Sequence, residues 1–114
     1  AAVHPALCDH EAFFKKRACG WPHYFYYYGA PDEKQLETVR YYDTANFARL
    51  LNVSGWFSWG YNDEVCPPTS MYAAYNVISS PKELHPYLET GHYWYQEQWD
   101  EWLDWIRRQL NVPM

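Results

Sequence analysis

The 114 residues hold no apolar run near the roughly 20 that a helix needs to cross a bilayer, so no membrane partner is expected. The opening residues also lack the charged region and apolar stretch of a signal peptide. Basic clusters are scarce: beyond Lys15-Lys16-Arg17 there is none, and the formal charge is −5. That argues against nucleic acid, whose phosphates require a Lys/Arg stripe, and suits a neutral or cationic small substrate. Cys8, Cys19 and Cys66 are odd in number and show neither C-x-x-C nor Cys/His metal spacing, so no metal and no cofactor is expected. Repeats, linkers and low-complexity segments are absent as well. The length supports one domain or part of one, able to bury roughly two thirds of its unfolded surface. What the chain has in excess is aromatic residues, 21% of the total, an excess that must either be buried or bind something, with burial the expected reading.

The chain is organised around Ser54 to Tyr75. Val53 to Gly60 reads as a buried strand, with apolar residues at five of its eight positions and turn residues directly after. Pro67 and Pro68 suit the start of a helix, where no backbone N–H is needed, and Met71, Ala74, Tyr75 and Ile78 then share a face. Asp63 falls in the loop between strand and helix, where open α/β sheets gather their reactive groups. A second unit repeats the pattern. Lys82 to Glu89 alternates weakly, and Gly91-His92 opens into a helix carrying Trp99, Trp102, Leu103, Ile106 and Leu110. An acid and then a histidine, each after a parallel strand, is the order in which the α/β-hydrolase fold supplies the last two members of a Ser…Asp…His triad.

The first member is missing. No G-x-S-x-G occurs: Ser54, Ser58, Ser70, Ser79 and Ser80 all lie outside any strand-to-helix elbow of small residues. A nucleophile belonging to this fold precedes the acid, which puts it upstream of Ala1.

The remaining segments read as follows. Val3 to Cys8 is a short apolar strand made irregular by Pro5, and Ala12 to Arg17 a short helix broken by Gly20-Trp21-Pro22-His23. Tyr24 to Tyr28 has strand propensity. A helix begins at Pro31-Asp32-Glu33 and runs to Tyr42. Asp43 caps the next, whose stripe is Phe47, Leu50 and Leu51 and which Asn52 closes. The final helix has Glu97, Asp100 and Glu101 early and Arg107-Arg108 late, complementing its dipole, and stops at Pro113. His4, His10, His23 and His85 are expected on the surface or in loops. Trp94, Trp99, Trp102 and Trp105 are expected on the final helix, mostly in the core. Cys66, beside two prolines and near acidic charge, is a poor nucleophile.

Several ordered segments carry a resemblance: Pro5-Ala-Leu-Cys-Asp9, Tyr41-Tyr-Asp-Thr-Ala-Asn-Phe-Ala48, Gly60-Tyr-Asn-Asp-Glu-Val-Cys-Pro-Pro-Thr-Ser70, Tyr72-Ala-Ala-Tyr-Asn76 and Gly91-His92. Together they resemble the C-terminal portion of the acetyl xylan esterases and cephalosporin C deacetylases, carbohydrate esterase family seven. The resemblance implies an α/β fold in which residues 1–114 form the C-terminal part of a single α/β-hydrolase domain. About three parallel strands with flanking helices are expected, with the nucleophile-bearing N-terminal part absent. For Tyr24 to Tyr28 the resemblance implies irregular or helical structure despite the strand propensity. It implies Asp63 as triad acid and His92 as triad base, an acetylated oligosaccharide as substrate, and the missing N-terminal half as partner. The isolated chain is then expected to be inactive and, with one sheet edge orphaned, to self-associate. Compartment stays open. The rival reading is an aromatic-rich carbohydrate-binding module using Trp21, Tyr24 to Tyr28 and Trp94.

Overall fold

Three short strands run parallel in the order β1-β2-β3: β1 is Ala2–Val3, β2 Gly55–Gly60 and β3 Lys82–Tyr87. This is a computed structural model, and it describes residues 1–113. Residues 56 to 60 of the middle strand are all buried, the burial that makes a parallel strand read as a near-continuous apolar run.

Its two faces go to different layers. Phe57 and Trp59 meet Ala48 of the helix α3 (Thr44–Ala48), Met71 and Ala74 of the helix α4 (Pro68–Asn76), and Cys8, Cys66 and Ile78 from the adjoining loops. Trp56 and Ser58 point the other way. Trp56 stacks on His85 at 5.2 Å, and the Ser58 hydroxyl donates to the His85 carbonyl at 2.6 Å while accepting from Gln98 Nε2 at 2.6 Å. Gln98 belongs to α5, Gln96–Leu110, which covers this face and buries Trp105. Two smaller helices, α1 (Tyr24–Tyr28) and α2 (Glu33–Arg40), lie between β1 and α3 in the chain.

The expected elements are present with altered bounds. The first strand is not Val3 to Cys8: His4 N–H makes the last ladder bond, to Ser58 O at 3.0 Å. His4, Leu7 and Asp9 then take left-handed φ values of 47°, 57° and 52°, and Pro5 has no donor to continue. The segment expected as a helix over Ala12 to Arg17 is a 3-10 helix over His10–Lys15. Asp32 caps α2, accepting from Gln35 N–H at 2.7 Å. Asp43 caps α3 as expected, through Ala45 N–H at 3.0 Å, but α3 stops at Ala48 without Asn52, and Phe47, Leu50 and Leu51 are exposed rather than packed. The last helix starts at Gln96, not at Gly91-His92. Gln98 Oε1 reaches back to Tyr95 N–H at 3.2 Å and so fixes the first turn there, which leaves Trp94 on the preceding loop.

The body is a plate. Its Cα extents are 53 × 31 × 16 Å and its radius of gyration is 15.4 Å, against roughly 13 Å for a compact domain of this length. Phe47 and Leu51, with Ala2, Pro5 and Phe57, line an apolar hollow of about 220 Å³ beside β1.

Candidate functional site

Asp63 lies three residues beyond the end of β2 and is 3% exposed. Its position is fixed by its own loop, since Oδ1 accepts from the backbone N–H groups of Val65 at 2.9 Å and Cys66 at 2.8 Å. This is the turn chemistry that aspartate performs before a helix, and it fixes the carboxylate in place. The other oxygen is thereby free to face outward.

Oδ2 accepts from two imidazoles. His92 Nδ1 is 2.8 Å away and His4 Nδ1 2.9 Å. The loop after β3 is drawn to the loop after β2 by Tyr61 N–H to Tyr87 O at 2.9 Å, Asn62 N–H to Thr90 O at 2.9 Å and Asn62 Nδ2 to Leu88 O at 3.0 Å. Gly60 permits this approach: a Cβ there would overlap the carbonyls of Thr90 and Gly91. The result is an acid buried under a histidine whose side chain is 41% exposed. An imidazole held at Nδ1 by a carboxylate presents Nε2 as a base, and the carboxylate fixes the tautomer and favours the imidazolium.

Both residues expected at the site are thus brought together. His4 was expected on the surface or in a loop; instead it is 8% exposed, its ring 4.8 Å from that of His92. Burial lowers its pKa below the ordinary histidine value, outweighing the nearby Asp63 charge that raises it. His10, also expected on the surface or in a loop, opens the 3-10 helix and is buried with neither ring nitrogen bonded, and its pKa is likewise lowered, chiefly by burial. No periodic signal in the sequence marks either one. Cys66 is buried and its thiol is pushed up to about 11, by burial first and the Asp63 charge second, as a poor nucleophile requires. Of the tryptophans expected on one helix, Trp94 precedes it and stacks on Trp99 with centroids 4.2 Å apart, and Trp99 is 39% exposed.

His4, Asp63 and His92 also form a group whose potential ligand atoms lie within 4.8 Å of one another. Both Nδ1 atoms sit at hydrogen-bond distance from one oxygen, closer than the roughly 3.3 Å that separates two ligand atoms on a tetrahedral zinc. Protons account for this geometry. A cleft of about 500 Å³ between α1 and α2, lined by Tyr24, Tyr28, Val39 and Tyr42 among others, contains none of the three.

Parallel strands flanked by helices, with an acid after one strand and a histidine after its neighbour, fit the α/β-hydrolase class. Comparison with known proteins agrees. The acetyl xylan esterase (AXE1) family model matches residues 2–109, and the chain belongs to that family. It is 43% identical over 82 residues to the acetyl esterase Axe7A of Xylanibacter ruminicola, a match spanning 72% of this chain and 19% of that protein. Among solved structures, the acetyl xylan esterase of Paenibacillus sp. R4 superposes with a TM-score of 0.76 at 28% identity. Acetyl xylan esterase 1 of Thermoanaerobacterium sp. JW/SL YS485 does so with 0.77 at 24%. Each covers 93% of this chain, which spans 36% of either structure.

Proposed function

We propose that the chain supplies the acid and base of a serine esterase that removes acetyl groups from acetylated xylan or xylo-oligosaccharides. The observation that carries this reading is the 2.8 Å contact from His92 Nδ1 to a buried, doubly anchored Asp63. In this mechanism a serine hydroxyl attacks the acetyl carbonyl as His92 Nε2 takes its proton. The imidazolium, stabilised by Asp63, returns that proton to the departing sugar oxygen, and His92 then activates water to cleave the acyl-enzyme.

The nucleophile is assigned to the part of the domain that the solved relatives have beyond this chain's span. Ser58 and Ser70 are buried and spend their hydroxyls on the carbonyls of His85 and Pro67. The substrate class rests on family membership. The carbohydrate-module alternative gains little, since Trp94 gives one of its faces to Trp99.

The test is Asp63→Asn in protein that carries the nucleophile. Loss of the tautomer-fixing carboxylate is expected to lower kcat by about 10⁴, and a fall of less than tenfold would return Asp63 to a turn-forming role. The isolated 114 residues are expected to show no turnover of 4-nitrophenyl acetate that a serine-directed organophosphate removes. They are also expected to self-associate, because the outer edge of β1 and the exposed Phe47, Leu50 and Leu51 lack cover. Light scattering at micromolar concentration checks this, and a stable monomer would refute it.

A further inference from the structure

We propose that His4 is a positioning residue for the Asp63–His92 pair: its Nδ1–H is a second donor on the carboxylate oxygen that accepts from His92, so one acid serves two imidazoles. The inference rests on the reading of Asp63 and His92 as acid and base.

The geometry singles out His4. Its backbone N–H closes the β1 ladder on Ser58 O at 3.0 Å, and its φ of 47° is one that non-glycine residues adopt at a cost. Such a conformation persists where the surroundings over-determine it. Here the ladder bond fixes the backbone, and the 2.9 Å contact to Asp63 fixes the ring. The ring is buried between His92, at 4.8 Å, and Trp94, at 6.4 Å. A residue placed there only to fill space would not need a strained backbone and an aimed nitrogen.

The tautomer follows. Asp63 is acceptor-only while ionised, so Nδ1 carries the proton on both histidines. His4 Nε2 is left buried without a partner, although the Tyr93 backbone lies near enough to favour the charged ring slightly. Burial opposes that charge more strongly, and His4 stays neutral. Glu64, beside Asp63, and Glu89, on the His92 loop, are exposed carboxylates. Cys66, on the Asp63 loop, has its thiol pushed up to about 11, and Tyr95, on the His92 side, has its hydroxyl pKa raised, first by its bond to Tyr93.

A neutral donor on Oδ2 competes with the imidazolium for the same lone pairs. Removing that donor is therefore expected to leave Oδ2 to His92 alone and to strengthen its hold on the imidazolium. His4 also adds an anchor on Oδ2 to a carboxylate whose Oδ1 is held by the Val65 and Cys66 N–H groups.

The experiment is a histidine-resolved NMR titration of the full chain, with His4→Val and His4→Asn. Valine removes the donor; asparagine keeps an N–H close to the Nδ1 position. In His4→Val the His92 pKa is expected to rise by about 0.5 to 1 unit, the share of a charge-assisted hydrogen bond that is redirected. In His4→Asn it is expected to stay near the unsubstituted value. An unchanged or lowered His92 pKa in folded His4→Val overturns the proposal. A long-range proton–nitrogen spectrum of the unsubstituted chain decides the matter even if the valine variant fails to fold. His4 in the Nδ1–H form supports the assignment, and an Nε2–H or doubly protonated ring at neutral pH overturns it. None of these readouts depends on turnover, so the catalytic reading, tested by Asp63→Asn kinetics, can fail separately.

Discussion

Gly60→Ala should separate the acid from the base without touching either. A Cβ built on Gly60 would lie 2.5 Å from both the carbonyl oxygen and the hydroxyl of Thr90, and closer still to the carbonyl of Gly91. The shortfall from ordinary van der Waals contact is about 0.9 Å for the first two. Two of the three atoms belong to backbone, which cannot rotate out of the way. The loop from Leu88 to Tyr95 must therefore move outward by that order, straining the Asn62 N–H to Thr90 O bond and lengthening the 2.8 Å Asp63–His92 contact. Overpacking of this kind costs about 1–3 kcal/mol. At roughly 4–8 °C per kcal/mol for a chain of this size, the expected fall in Tm is about 10 °C. In protein carrying the nucleophile, a misplacement near 1 Å is expected to lower kcat by about 10². Differential scanning fluorimetry and initial rates read the two effects. A variant with Tm within 2–3 °C of the parent (about 0.5 kcal/mol) and an unaltered His92 titration would refute the reasoning, because it would mean that the two loops are not in contact through this glycine.

Three further outcomes are expected. His10 is buried with both ring nitrogens unpartnered and its pKa lowered, so below pH 6.5 the unfolded chain takes up a proton that the folded chain refuses; stability should fall as pH drops from 6.5, by up to about 1.4 kcal/mol per pH unit for this group, and His10→Phe should make that limb shallower in urea melts at several pH values while the share of His4, also lowered by burial, remains. Asp43→Ala removes the acceptor for the backbone N–H groups of Asp9, His10 and Ala45, and a loss of about 2–4 kcal/mol is expected in the urea midpoint, whereas a change under 1 kcal/mol would show that solvent replaces the carboxylate. Burial pushes the thiols of Cys8 and Cys66 up to about 12 and about 11, so neither should be alkylated by iodoacetamide at pH 7.5 in the folded chain; rapid labelling without denaturant would contradict their burial.

What could be read from the sequence was what local chemistry determines. The strand before Asp63, the proline-started helix after it and the Asp43 cap each depend on a few neighbouring residues, and each is present. The acid and histidine could be paired because each follows a strand of the same sheet. His4 could not be placed this way. Its contact with Asp63 spans 59 residues and depends on the register of β1 against β2, in a strand of only two residues whose periodicity says nothing. The start of α5 is hidden from the sequence for a related reason. Gly91-His92 looks like a helix opening, but the bond from Gln98 back to Tyr95, a residue type outside the usual capping set, moves the first turn to Gln96. The stripe of Phe47, Leu50 and Leu51 is periodic, yet periodicity cannot say whether a covering layer is there to meet it.

The segment bearing His92 is a strap with both ends tied to the same strand. At one end Tyr87 is in register with Gly60; at the other, Gln98 is pinned to the Ser58 hydroxyl inside the sheet, a contact that a one-residue slide of α5 would break. Asp63 leaves that strand three residues further on. Acid and base therefore share one mechanical frame, and a hinge anywhere else in the protein would carry them as a unit without changing their separation. A group delivered from another layer has no such tie, so its distance to His92 Nε2 is the coordinate that domain motion can modulate.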